Sequence, residues 1–223
     1  MKPLAIIPAR AGSQRLPGKN LMKLGGEPLL RIAVDDAAGA NIEHIVISTD
    51  IPMELIPMTR APFMVLPRPA HLAGPDVPMM DAVRHVMGHH LVEAIDYDSV
   101  VLLQPTSPLR LSGDIMACIK LLETSDAAMT VKLVEAPELF TLGHAGRLRQ
   151  MTIEEMADGR RIVVPNGAVF AARRDVIEAG DDWWTANVVT GLVMPPERSV
   201  DIDTIVDFEE AERLWTSMNG QTE

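Results

Sequence analysis

Cysteine is almost absent from this 223-residue chain: Cys118 stands alone, so no intramolecular disulfide can form and a reducing compartment suits the protein. Aromatic residues make up only 4%, although 47% of the chain is apolar, so Leu, Ile, Val, Ala and Met must fill the core. No apolar run comes near the roughly 18 residues that suggest a membrane span. The start lacks the long apolar segment and small-residue cleavage site of a secretory signal, and the expected location is the cytoplasm. Positive charge is in deficit too. Thirty-one acids outnumber 20 Lys and Arg, giving a net charge of -11 and a pI near 5.0, which argues against general nucleic-acid binding. HExxH, CxxC and GxSxG are all missing, and Cys118 falls within an expected helix with nothing to activate it.

Against this acidic background the first 25 residues are cationic. Lys2, Arg10, Arg15, Lys19 and Lys23 all precede the first acid, Glu27. Leu4 to Ile7 reads as a short buried strand ended by Pro8, followed by a loop holding Arg10, Gly12, Ser13, Arg15, Gly18, Lys19 and Asn20. A strand that empties into a basic, Gly-containing loop suits phosphate. Backbone N–H groups converge where Gly permits the turn, and guanidinium and ammonium groups neutralise the anion. The loop is not a P-loop: five residues rather than four separate Gly12 from Gly18, and Asn20 stands where Ser or Thr belongs. A solvated loop with ordinary surface charges is the alternative.

Further on, strand-like and helix-like segments alternate. Helices are predicted over Pro28–Ala38, Pro78–Ala94, from a Ser112 cap to about Glu123, and over Asp207–Trp215. Continuous apolar strands are predicted at His44–Ser48, Phe63–Leu66, Ser99–Leu103, Ala127–Leu133, Val164–Ala171 and Val188–Met194. Such a rhythm predicts an α/β fold with a mostly parallel sheet and helices on both faces. Ligands then sit beyond the C-terminal ends of the strands. Four loops there are polar: Arg10–Lys19, Thr49–Asp50, the Pro-rich Pro67–Asp76 and Gln104–Arg110. Between Glu135 and about Val163 the rhythm fails, which reads as an excursion, either a hairpin or a dimerisation arm, with a disordered insert as the alternative. No hinge or repeat divides the chain, so one domain is expected over residues 1–223.

Candidate chemistry gathers in few places. Asp201 and Asp203 flank Ile202, and residues two apart in extended chain share a side, which suits a hard cation such as Mg²⁺. Capping of the last helix is the competing use for Asp203 or Thr204. Gln104 lies at the mouth of a buried strand, where its amide could fix a substrate hydroxyl or simply support the turn at Pro105 and Pro108; Asn166-Gly167 has the same two readings. Trp183 and Trp184 could stack on a ring or close the core edge. His89 and His90 have no partners at ligand spacing and read as surface residues.

Taken together and in order, IIPARAGSQRLPGKN, LLQPTSPLR, PNGAVF and SVDIDT resemble the CMP-sialic acid synthetase (acylneuraminate cytidylyltransferase) family over residues 4 to about 215. The resemblance implies a Rossmann-like, doubly wound sheet and a homodimer formed through the excursion. It implies Mg²⁺ and the reaction of CTP with a nine-carbon α-keto acid sugar, giving CMP-sugar and pyrophosphate. Carried over by position, Arg10 and Lys19 would hold the CTP phosphates, with Ser13, Arg15 and Asn20 in the same loop. Arg68, Ala73 and Asp76 fall in the segment that reads cytosine and ribose. Gln104 and Asn166 would contact the sugar in a pocket lined by Phe170, Trp183 and Trp184, and Asp201 and Asp203 would carry the metal. This chain departs from the family pattern at Val164-Pro165, where an arginine usually precedes the PNG block, and in a shorter excursion. Two other readings stay open: a CMP-KDO or other NDP-sugar nucleotidyltransferase, and a non-catalytic nucleotide-binding module.

Overall fold

The computed structural model describes residues 1–134, 140–142, 148–150 and 162–220. Its main sheet contains β1 (Pro3–Ala9), β4 (His44–Thr49), β5 (Met64–Pro67), β6 (Ser99–Leu102), β7 (Ala127–Leu133), β10 (Val163–Arg173) and β11 (Val189–Val193), in the order β11-β7-β10-β6-β1-β4-β5. Every pairing is parallel except those of β10, which runs antiparallel to both β6 and β7. Two small antiparallel pairs stand apart: β2 (Lys23–Leu24) with β3 (Glu27–Pro28), and β8 (Phe140–Leu142) with β9 (Leu148–Gln150). The latter pair belongs to the expected excursion, most of which lies outside the described residues.

Period-two alternation explains how one strand serves two cores. In β1, Ala5, Ile7 and Ala9 face one cluster, where α1 (Leu29–Gly39) contributes Leu30, Ala33, Val34 and Ala37 and α4 (Ser112–Leu121) contributes Ile115 and Cys118. Leu4 and Ile6 face the other, where α2 (Met79–Met87) buries Met80, Val83, Val86 and Met87. A short helix, α5 (Arg174–Glu178), follows β10, and a third cluster docks α6 (Ile205–Asn219), through Phe208 and Ala211, onto Leu24, Leu29, Leu109 and Ile202. The sheet is thus covered on both sides, as the apolar runs imply. From β1 the chain proceeds outward to β4 and β5, then returns to place β6 on the other side of β1. The reversal leaves a crevice between the C-terminal ends of β1 and β6, the place where open α/β sheets bind ligands.

Two helix expectations change. The stretch expected as one helix to Ala94 ends its first piece at Gly88, and a separate turn, α3 (His90–Glu93), follows. Ser112 does not cap α4. Leu111 occupies the cap position, Asp114 accepts a hydrogen bond from its N–H at 2.8 Å, and the Ser112 hydroxyl donates across to the Asp36 carbonyl of α1.

Candidate active site

A cleft of about 240 Å³ opens at that reversal, lined by residues that follow β1, β5 and β6 and by the segment preceding α6. After β1 the chain turns so that Ala11 N–H donates to Asp50 Oδ1 at 2.7 Å, tying the loop to the end of β4. Arg10 enters the cleft with its guanidinium donating to the Gly74 carbonyl at 3.0 Å, and Asn20 donates to the Arg10 carbonyl at 2.9 Å. Gly18 adopts φ +70°, a left-handed turn that costs other residues energy, and this starts the short helical turn that aims Lys19 inward. Ser13 is buried in the same wall, and its hydroxyl makes no hydrogen bond among the described residues. A buried polar atom without a partner is costly. From the Pro-rich loop comes Arg68, which donates to the Ser48 carbonyl at 2.9 Å and to its hydroxyl at 3.2 Å. Burial pushes the Arg68 pKa down, and Asp50 opposes that shift.

Asp201 and Asp203 share this cleft with the cations. Lys19 donates to Asp203 Oδ1 and to the Ile202 carbonyl, both at 2.9 Å, and Arg15 reaches Asp203 Oδ2 at 2.6 Å from a more exposed position. Thr204 caps α6 and forms a reciprocal box with Asp207, so the capping work expected as a rival duty for Asp203 is done by its neighbours. The two acids are electrostatically distinct. The Lys19 hydrogen bond holds Asp203 below the usual carboxylate range, whereas burial raises Asp201, with the Thr106 and Ser107 hydroxyls partly opposing the rise. Ser107 lies 3.5 Å from Asp201 Oδ1, and Ile202 N–H donates to the Thr106 carbonyl at 2.8 Å.

A family model for cytidylyltransferases matches residues 4–145, which carry three of the four loops of this cleft. The chain belongs to the cytidylyltransferase family. Among its relatives is the N-acylneuraminate cytidylyltransferase of Escherichia coli O18:K1:H7, 29% identical over 99% of this chain and 54% of that protein. Another is the CMP-N,N'-diacetyllegionaminic acid synthase of Legionella pneumophila, 28% identical over 96% of both. The chain thus spans about half the length of the N-acylneuraminate cytidylyltransferases it matches. A solved structure of CMP:2-keto-3-deoxy-manno-octonic acid synthetase complexed with CTP superposes with a TM-score of 0.68 at 18% identity, covering 98% of this chain and all of that one, a likeness of fold.

Within this cytidylyltransferase fold, Arg10, Ser13, Lys19, Asn20, Arg68, Gln104, Asp201 and Asp203 all line one cleft. Ala73 and Asp76 flank the lining residues Gly74 and Pro75, and Arg15 stands outside, linked through Asp203. Asn166 is buried at a bulge in β10. Its carbonyl oxygen accepts from Thr130 at 2.6 Å and its amide donates to Ser199 at 2.9 Å, so the side chain is spent inside the protein. Phe170, Trp183 and Trp184 form a separate aromatic group, with ring centroids 5.4 and 5.7 Å from Phe170. Trp183 is buried, while Trp184 is 58% exposed. Cys118 is buried, and burial drives its thiol up to about 12, so it is no nucleophile. Sequence reasoning placed Asp50, Thr106 and Ser107 in loops expected at the ligand site without individual roles, and left Ser48 within its strand. The available signal was their place at or just past the C-terminal ends of buried strands.

Proposed function

We propose that this chain transfers CMP from CTP to the anomeric hydroxyl of a nine-carbon α-keto acid sugar. The sugar oxygen forms a bond to the α-phosphorus, the bond from that phosphorus to the β-phosphate oxygen breaks, pyrophosphate leaves, and the hydroxyl proton passes to water. The observation that carries the reading is the joining of Arg10, Ser13, Lys19 and Arg68 with Asp201 and Asp203 in one cleft. Phosphoryl chemistry asks chiefly for positioning and charge neutralisation. Arg10 and Lys19 hold the phosphates, Ser13 donates its unused hydroxyl, and Arg68 with the Ala73–Asp76 segment borders the nucleoside. Gln104 faces the acceptor. Of the three expected pocket rings only Trp184 is exposed to border it, with Phe170 and Trp183 buried in the core behind, and Asn166 supports that side by fixing the β10 bulge.

The acids fit a divalent cation. Asp201 lines the cleft with Oδ1 3.5 Å from the Ser107 hydroxyl, and desolvation raises its pKa, an effect that a bound cation would offset. Among the described residues no cluster of three or more acid, His or Cys groups occurs, so protein would supply the two carboxylates alone. That sparse set suits Mg²⁺, which keeps waters and binds substrate phosphates. Asp201 and Asp203 would hold Mg²⁺ there, and it would supply charge neutralisation for the phosphates and acidity for the attacking hydroxyl. No histidine lines the cleft among the described residues, which agrees with a reaction lacking a histidine base.

The reading extends to one nucleotidyltransferase domain over residues 1–223, a cytoplasmic location and a homodimer formed through residues 135–163. Exposed Val163, Val164, Val189 and Val193 on the adjoining strands support that contact. No described helix is long and apolar enough to cross a membrane. The test is to incubate the full chain with CTP, Mg²⁺ and N-acetylneuraminate, legionaminate, pseudaminate or 3-deoxy-manno-octulosonate, and to measure pyrophosphate and CMP-sugar. Equal yields of both products with a nine-carbon acceptor are expected. Turnover with the eight-carbon acceptor alone, or CTP binding with no pyrophosphate from any acceptor, would overturn the assignment.

A further inference from the structure

Arg110 is fully buried outside the cleft lining, and the reaction described above gives it no task. Its Nη1 lies beneath the loop that follows β6, donating to the carbonyls of Gln104 at 2.7 Å, Ser107 at 2.9 Å and Ala168 at 3.4 Å. These carbonyls come from the two segments that surround Asp201. The Ser107 hydroxyl approaches Asp201, the Thr106 carbonyl accepts from Ile202, and Ala168 adjoins the β10 bulge. Behind Arg110, Asp36 of α1 places Oδ2 3.2 Å from Nε. That contact is one of charge rather than alignment: Nε and Nη2 of Arg110 and Oδ2 of Asp36 make no hydrogen bond among the described residues.

Stability alone does not account for such a pair. Desolvating a guanidinium and a carboxylate is expensive, and apolar replacements of similar volume often do as well or better. The arrangement instead spends a rigid, always-charged planar fork on backbone carbonyls, a job to which a flexible lysine is poorly suited. We propose that Arg110, backed by Asp36, is a positioning residue that sets the Gln104–Ser107 loop and, through it, Asp201. The kinetic part of this proposal rests on the cytidylyltransferase reading of the cleft; the geometric part does not.

The experiment compares the full chain with Arg110→Lys, Arg110→Met and Asp36→Asn. Amide hydrogen exchange followed by mass spectrometry reports residues 104–107 and 199–203, calorimetry gives the Kd for CTP, and pyrophosphate release gives kcat and KM for the acceptor. Exchange in those two segments is expected to quicken by about 10-fold while β1 and β4 stay protected, as local opening predicts. CTP affinity should hold, because the Arg10–Lys19 loop is not held by Arg110. Acceptor kcat/KM should fall on the order of 10²-fold in Arg110→Met, the cost of a misplacement near 1 Å. Arg110→Lys should recover part of it, and Asp36→Asn should show the same pattern more weakly. Should Arg110→Met fail to fold, the other two variants carry the comparison. Unchanged exchange with wild-type acceptor kinetics in Arg110→Lys and Asp36→Asn would overturn the proposal, as would exchange quickened evenly across the sheet. If the unaltered chain releases no pyrophosphate with any acceptor, the reaction assignment fails, and the exchange pattern then decides the role of Arg110 by itself.

Discussion

Lys19 bonds both Asp203 and the Ile202 carbonyl, so its ammonium is fixed in the cleft before any triphosphate arrives. Lys19→Ala is expected to lower kcat on the order of 10²-fold, the usual effect of removing one preorganised charge-stabilising donor. A near wild-type rate of pyrophosphate release would remove Lys19 from the site. Gly167 sits at φ +79°, and a Cβ there would lie 3.1 Å from Ser107 Oγ and 3.4 Å from Asp201 Oδ2. Gly167→Ala should therefore cost about 1–2 kcal/mol in urea unfolding, from the left-handed backbone alone. It should also weaken activation by Mg²⁺, measured by metal titration of the rate. At this scale the sequence was informative where polar residues interrupt apolar runs, as at Arg10, Lys19, Gln104 and the Asp201/Asp203 pair. It placed Arg110 only as the end of the polar Gln104–Arg110 loop and gave it no task of its own, because nothing local marks which of many cations loses its water, and its partner Asp36 is remote in sequence. Asn166 drew attention as a polar residue opening a strand, but Thr130 and Ser199, which satisfy its side chain, become its neighbours only through tertiary packing.

Among the elements, α6 shows how a helix start can free a carboxylate. Asp207 accepts from the Thr204 and Asp203 N–H groups at 2.7 and 3.1 Å, and the Thr204 hydroxyl receives the Asp207 N–H in return. Thr204→Ala is expected to cost about 1 kcal/mol, the typical loss of an N-cap, read as a lower urea midpoint at unchanged slope. No change in stability would mean that Asp207 alone sustains the helix start. The strands β1, β4 and β6 were readable because strands covered on both faces show as unbroken apolar runs. The reversed direction of β10 was not, since a strand's own residues do not record which way its neighbours run. The break at Gly88 was hidden for a different reason: a helix tolerates a single glycine at modest cost, so periodicity carries on through it.

Across the whole molecule, the cleft draws on residues 8–20, 68–82, 104–106 and 201–203, which the β1/β6 reversal brings together in a protein of net charge -11. A ligand bridging these segments binds only the folded chain. CTP at 100 times its Kd should add about 2.7 kcal/mol, raising Tm by about 5–11 °C for a chain of this size. The shift should shrink at the same CTP concentration in Lys19→Ala; an equal shift in both proteins would place the nucleotide elsewhere. Asp203 follows its partner Lys19 by 184 residues. A growing chain emerges N-terminus first, so on the ribosome the basic loop is exposed long before its acidic counterpart has been synthesised. Any ligand met in that interval encounters only half of the cleft, which is complete only after residues 201–203 have emerged and α6 has settled against the third core cluster.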